Sequence, residues 1–248
     1  MKKTMPAPKK LPKKQGWLRN LGYVAFIVVW VFVSVVASQF VTALALQALL
    51  PSELLEKPVV SGIYSVISYG LSIILTFVVL PKIYKKLASD REEVGLKDYP
   101  TWTDIGLAPV GWIVSTIGAG LLMTFFNQFS WFEIGQAQDT GFSPYMNGGE
   151  RIIAFLVLVI LAPIAEEVIF RGWLYGKLRA CTNLVTSILI TSLLFAIMHW
   201  QWNVSVNVFA LSVVLCGMRE ITGTIYAGIL THMLKNGIAF FLLYVIPL

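Results

Sequence analysis

Charge is scarce in this chain. Asp, Glu, Lys and Arg make up 13% of 248 residues, against roughly 25% in a soluble domain. Hydrophobic residues make up 57%, and the mean hydropathy is +0.75. That balance excludes an ordinary water-soluble domain and implies an integral membrane protein. Cysteine is nearly absent. Cys181 and Cys216 are the only two, too few for a disulfide framework or a zinc motif, and they read as packing residues. No internal repeat is visible, which argues against a transporter built on inverted repeats. No interleaving of aromatic and basic residues suggests nucleic acid as a partner.

Apolar runs are what the chain has in plenty. A span needs about 20 apolar residues, and seven candidates occur, at 21–49, 59–81, 107–130, 151–177, 184–202, 204–218 and 223–246. The expected fold is all-α, a polytopic transmembrane bundle of about seven spans. The first is long enough to tilt or emerge from the bilayer, and the sixth is short. The chain then divides into three regions: a basic arm over 1–20, N-terminal spans over 21–130, and a core over 150–248. The arm begins MKKTMPAPKKLPKKQGWLR and holds seven of the 19 Lys and Arg and three prolines. It reads as disordered, with the anionic lipid surface as its partner. The apolar stretch after it exceeds the 7–15 residues of a cleaved signal, so a retained anchor is expected.

Basic residues also set an orientation. The arm, the 82–106 connection, the stretch after residue 170 and Arg219 together carry sixteen Lys and Arg on alternate connections. The opposite loops carry only Lys57 and Arg151. By the positive-inside rule the N-terminus is cytoplasmic, and seven spans put the C-terminus outside. The longest outer connection, 131–150, has the Gly, Asn, Ser and Pro content of a loop.

Against this background a few polar residues stand out. The run IIAFLVLVILAPIAEEVIF ends in an adjacent pair, Glu166 and Glu167. A carboxylate at the centre of a bilayer costs about 2.5–3.5 kcal/mol on insertion scales, and two neighbours repel. The two histidines, His199 and His232, both fall in apolar spans. On a 3.6-residue helix Glu167 and Arg171 share a face as i and i+4, as do His232 and Asn236. Glu166 and Glu167 point about 100° apart, so one can face a cavity while the other pairs with Arg171. Counted at about 1.5 Å per residue from the neighbouring turns, Glu166, His199, His232 and Asn236 come to similar depths and are expected to converge. That depth, in the middle or outer half of the bilayer, suggests access from outside or laterally from lipid.

Three chemistries suit such a set. A carboxylate beside an imidazole can take a proton from water, while a second imidazole and an amide donate to an oxyanion. That is peptide hydrolysis without a covalent enzyme intermediate. Two Glu and two His also suit a metal, but HExxH and Glu-x-x-His spacings are absent. Proton-coupled transport uses the same residue types. A serine triad lacks GxSxG and an intramembrane Asp.

The motifs narrow this. EEVIFR at 166–171, FAIMH at 195–199 and HMLKN at 232–236 resemble, in order, the EExxxR, FxxxH and HxxxN motifs of the CAAX protease and bacteriocin-processing (CPBP, or Abi) family. The resemblance covers about 150–240. It implies an intramembrane glutamic endopeptidase that needs no cofactor and acts on a membrane-associated protein or peptide. It implies Glu166 as the base with His199, and His232 with Asn236 at the oxyanion. Glu167 and Arg171 are then mainly architectural, and Phe195 positions the His199 ring. The resemblance also implies a bacterial role in bacteriocin processing or self-immunity. A non-catalytic immunity or scaffold protein, or a metal-dependent membrane hydrolase, is the alternative.

Overall fold

The computed structural model describes residues 17–97, 99–143 and 145–246, with side-chain surroundings from Leu21 onward. Most of the expected arm therefore lies outside the described residues. Its last four positions are the first turn of a helix that starts at Trp17.

The principal helices are seven: α1 Trp17–Leu49, α2 Pro58–Ile83, α3 Trp102–Phe126, α4 Gly148–Cys181, α5 Leu184–Ile197, α6 Trp202–Thr222 and α7 Tyr226–Tyr244. No strand occurs among the described residues. Six of the seven are long and apolar enough to cross a membrane. The short one is α5, with 14 residues, not the sixth as expected. It spans about 21 Å of a hydrocarbon core about 30 Å thick. The sixth helix instead runs the full 21 residues from Trp202.

The starts of these helices are written locally. Thr101 and Asp104 form a reciprocal capping box on α3, with Asp104 Oδ2 accepting from the Thr101 amide at 2.7 Å. Asn147 and Glu150 do the same on α4 at 3.0 Å each way. Asn183 accepts from the Thr186 amide at 2.9 Å and opens α5. Each cap satisfies amides that have no partner inside the helix. Gly223, with φ 74°, closes α6 in the left-handed conformation that glycine adopts most readily.

Within α2 and α4 the winding changes. Leu75–Val79 and Leu156–Leu161 are π-helical, and two residues beyond each stands a proline, Pro81 and Pro163. A proline inside a helix lacks an amide donor and its ring crowds the carbonyl four residues back. The wider turn makes room for it. A further π-helical stretch, Glu167–Leu174, begins at the second glutamate. π-Helical turns recur at functional sites.

The chain divides into two compact units, each assembled from three stretches. One comprises residues 1–29, 89–138 and 167–232; the other comprises 30–88, 139–166 and 233–248. In the first, α3, α5 and α6 pack around Leu211, Leu215, Met218 and Ala227. In the second, α2 packs on the first part of α4, with a core of Phe142, Met146, Ala154, Val157, Val159, Phe240 and Tyr244.

Candidate active site

The boundary between the units falls between Glu166 and Glu167, and again just after His232. Five of the seven candidate residues lie in the first unit and touch one another.

Glu167 is fully buried and forms the expected i, i+4 pair with Arg171, Oε1 to Nη1 at 2.8 Å. Arg171 is also fully buried. Its guanidinium lies over the Phe195 ring, 4.2 Å from the centroid. His232 brings Nδ1 to the same Glu167 oxygen at 3.2 Å. Two charges out of water require this degree of pairing to persist. Room for the carboxylate comes from α7: a Cβ on Gly228 would stand 2.9 Å from Glu167 Oε2.

Phe195 is the hub of this cluster. Its ring meets those of Phe170 and His199 at 5.0 Å and that of His232 at 6.0 Å, all edge to face. The Phe195 carbonyl also takes the His199 Nδ1 hydrogen at 2.8 Å. A carbonyl only accepts, so Nδ1 carries a proton, and in the neutral ring Nε2 carries the lone pair. One phenylalanine thus contacts both histidines and the buried arginine.

His199 does not end a long span. It sits just past the end of α5, on a turn whose next residue, Trp200, has φ 55°. Side-chain amides fasten the far side of this turn. Gln201 Nε2 donates to the carbonyls of Gln136 and Ala137 at 3.1 and 3.3 Å. Asn203 Nδ2 donates to those of Ile134 and Gln136 at 3.2 and 2.8 Å. The first part of the 131–150 connection is therefore a strap holding the His199 turn.

Glu166 and Asn236 belong to the second unit. Glu166 is partly buried and accepts a hydrogen bond from the Tyr69 hydroxyl of α2 at 2.6 Å. Asn236 Nδ2 donates to the Leu158 carbonyl at 2.9 Å. The reason lies in α4. The Ala162 amide reaches back five residues to Val157. In that register Leu158 would be served by residue 163, which is proline and has no amide hydrogen. Asn236 supplies the missing donor.

The sequence singles out the glutamates, both histidines, Arg171, Phe195 and Asn236. It does not single out Tyr69, Gly228, Gln201 or Asn203. A tyrosine within the apolar stretch 59–81 is a visible signal; small and amide residues outside the motifs carry none. Among the described residues no group of three or more His, Cys, Asp or Glu is arranged to hold a metal ion.

Residues 148–238 match the family model described as "Type II CAAX prenyl endopeptidase Rce1-like". That is the family group to which the three motifs point. The chain is also similar to a Bacillus subtilis (strain 168) protein named "Putative membrane peptidase YdiL". The two are 24% identical over 182 residues, 71% of this chain and 69% of the relative. No solved structure is significantly similar to the chain. The multi-pass apolar architecture and the Rce1-like segment together mark a membrane protein of peptidase type.

Proposed function

We propose that this chain is an intramembrane endopeptidase that hydrolyses a peptide bond of a membrane-associated protein or peptide with glutamate-activated water. The observation that carries this reading is the unequal use of the glutamate pair. Glu167 is wholly buried, with one oxygen shared by Arg171 and His232. Glu166 is only partly buried and holds a tyrosine hydroxyl. One carboxylate is tied into an ion pair, and the other is suited to meet water.

In this mechanism Glu166 takes one proton from water as the oxygen attacks the scissile carbonyl carbon. His199 Nε2 accepts a hydrogen bond from the second water hydrogen and orients it. The negative charge that develops on the carbonyl oxygen is received by His232 and Asn236. The Glu167 carboxylate balances the charge of a doubly protonated His232, whose Nε2–H then donates. Asn236 has a second amide hydrogen beyond the one given to Leu158. As the tetrahedral intermediate collapses, Glu166 returns its proton to the leaving amine. Arg171 and Phe195 hold the donors in place, since preorganised donors stabilise a transition state far better than mobile ones.

The natural task we infer is bacteriocin processing or self-immunity, with the N-terminal arm on the anionic cytoplasmic lipid surface. The test pairs Glu166→Gln and His199→Ala in purified chain, with a prenylated CaaX-tail peptide and new peptide termini in expressing membranes as readouts. A general base contributes about a hundredfold or more. Each variant should therefore lose at least that factor while inserting normally. Full cleavage by both would sink the mechanism. Bacteriocin protection that survives Glu166→Gln would instead favour a non-catalytic immunity role, and a stoichiometric bound metal would favour the metal hydrolase.

A further inference from the structure

We infer that Tyr69, a residue of α2, is the positioning residue of the Glu166 base. The inference rests on the endopeptidase reading above and deepens it. α2 lies wholly outside the 148–238 segment that matches the family model, so the residue is not one the motif pattern supplies.

Three observations meet here. The first is distance: the Tyr69 hydroxyl donates to Glu166 Oε1 at 2.6 Å. That is within the 2.5–2.7 Å range of a hydroxyl donating to a carboxylate, the strong charge-assisted class. The second is separation. Ninety-seven positions divide the two residues, so the contact is made by packing α2 on α4 and not by local sequence. The third is that packing itself. Gly62 of α2 would carry a Cβ 2.9 Å from Ile153 of α4, and its absence lets the helices approach closely.

A carboxylate on a long side chain has three rotatable bonds. A base that must meet one water in one orientation gains from having them fixed. The tyrosine hydroxyl fixes Oε1 and with it the orientation of the carboxylate. Glu166 is thereby held by a neutral donor, whereas Glu167 is held by an arginine and a histidine. The different neighbours give the two adjacent carboxylates different roles.

The test uses full-length protein in lipid nanodiscs. The infrared carboxylate band of Glu166 is identified as the band lost in Glu166→Gln. Tyr69→Phe keeps the ring and its packing and removes only the hydroxyl. It should shift the Glu166 band, and it should lower kcat on the prenylated CaaX-tail peptide about ten- to a hundredfold with KM within about twofold. A Glu166 band identical in Tyr69→Phe and wild type would overturn the proposal, and so would an unchanged kcat. Those results leave the endopeptidase reading standing provided Glu166→Gln abolishes cleavage. Undiminished cleavage by Glu166→Gln would overturn that reading itself, while the band shift still judges Tyr69.

Discussion

Gly228 has the smallest side chain near the site and one of the strictest requirements. Its α-carbon faces Glu167 so closely that an added methyl would stand 2.9 Å from Oε2. The carboxylate cannot swing aside without leaving Arg171 or His232, both bound through its other oxygen. Gly228→Ala is therefore expected to cost about 2–3 kcal/mol, somewhat less than removing one partner of a buried pair outright, although alanine is the better helix former by about 1 kcal/mol. Thermal unfolding in detergent reads this directly. A rise in Tm would mean that the carboxylate is not confined as described. The same scale explains Phe195. Its ring is fully occupied by Phe170, His199, His232 and Arg171. Sequence spacing places Phe195 one turn from His199 and is silent on its other neighbours, because it reports residues on one helix and not those arriving from others.

At the scale of elements, the departures from α-helix explain more than the helices do. Pro163 deprives the Leu158 carbonyl of its donor, and Asn236 of α7 replaces it. An orphaned carbonyl in hydrocarbon is costly, and side-chain hydrogen bonds inside membranes are worth about 1 kcal/mol. Asn236→Leu should cost about 1–2 kcal/mol by equilibrium unfolding. Pro163→Ala restores an amide at 163, so the same Asn236→Leu change should cost about 1 kcal/mol less in that background. Strict additivity would remove this account of Asn236. The sequence announces the ends of several helices through Thr101, Asn147 and Asn183, whose caps are local. It announces the spans through hydropathy alone. It does not announce the π-helical turns: Pro81 and Pro163 are visible but the wider winding that accommodates them is not, and no proline marks the stretch EVIFRGWL. Nor does it announce the shortness of α5, since MHWQW continues the apolar run while the backbone turns at Trp200 with φ 55°. Tyr69 escapes because tyrosine is common near membrane interfaces, and only packing distinguishes an interfacial tyrosine from one bound to a carboxylate.

At the scale of the whole chain the question is how many times it crosses. The first unit bears on the answer by itself. Glu93 is paired with Lys177 at 3.3 Å, and its carbonyl accepts from Arg219 at 2.8 Å. The connection after α2, the end of α4 and the end of α6 therefore share one face. Gln201 and Asn203 bind the carbonyls of residues 134–137, so the end of α3 and the start of α6 share the other. This sorting requires α5 to carry the chain across despite its 14 residues. By the division of basic residues, the face with Lys177 and Arg219 is the one expected in the cytoplasm. A helix about 21 Å long is shorter than a core about 30 Å thick, so both of its ends cannot reach the two membrane surfaces. In a background with Cys181 and Cys216 replaced by alanine, a cysteine at Trp200, 67% exposed, should react with a membrane-impermeant maleimide added to intact cells. A cysteine at Glu92, whose side chain is 53% exposed, should react only after permeabilisation. The reverse pattern would turn the chain over in the membrane. Reaction of both sites from one side would mean that α5 folds back without crossing.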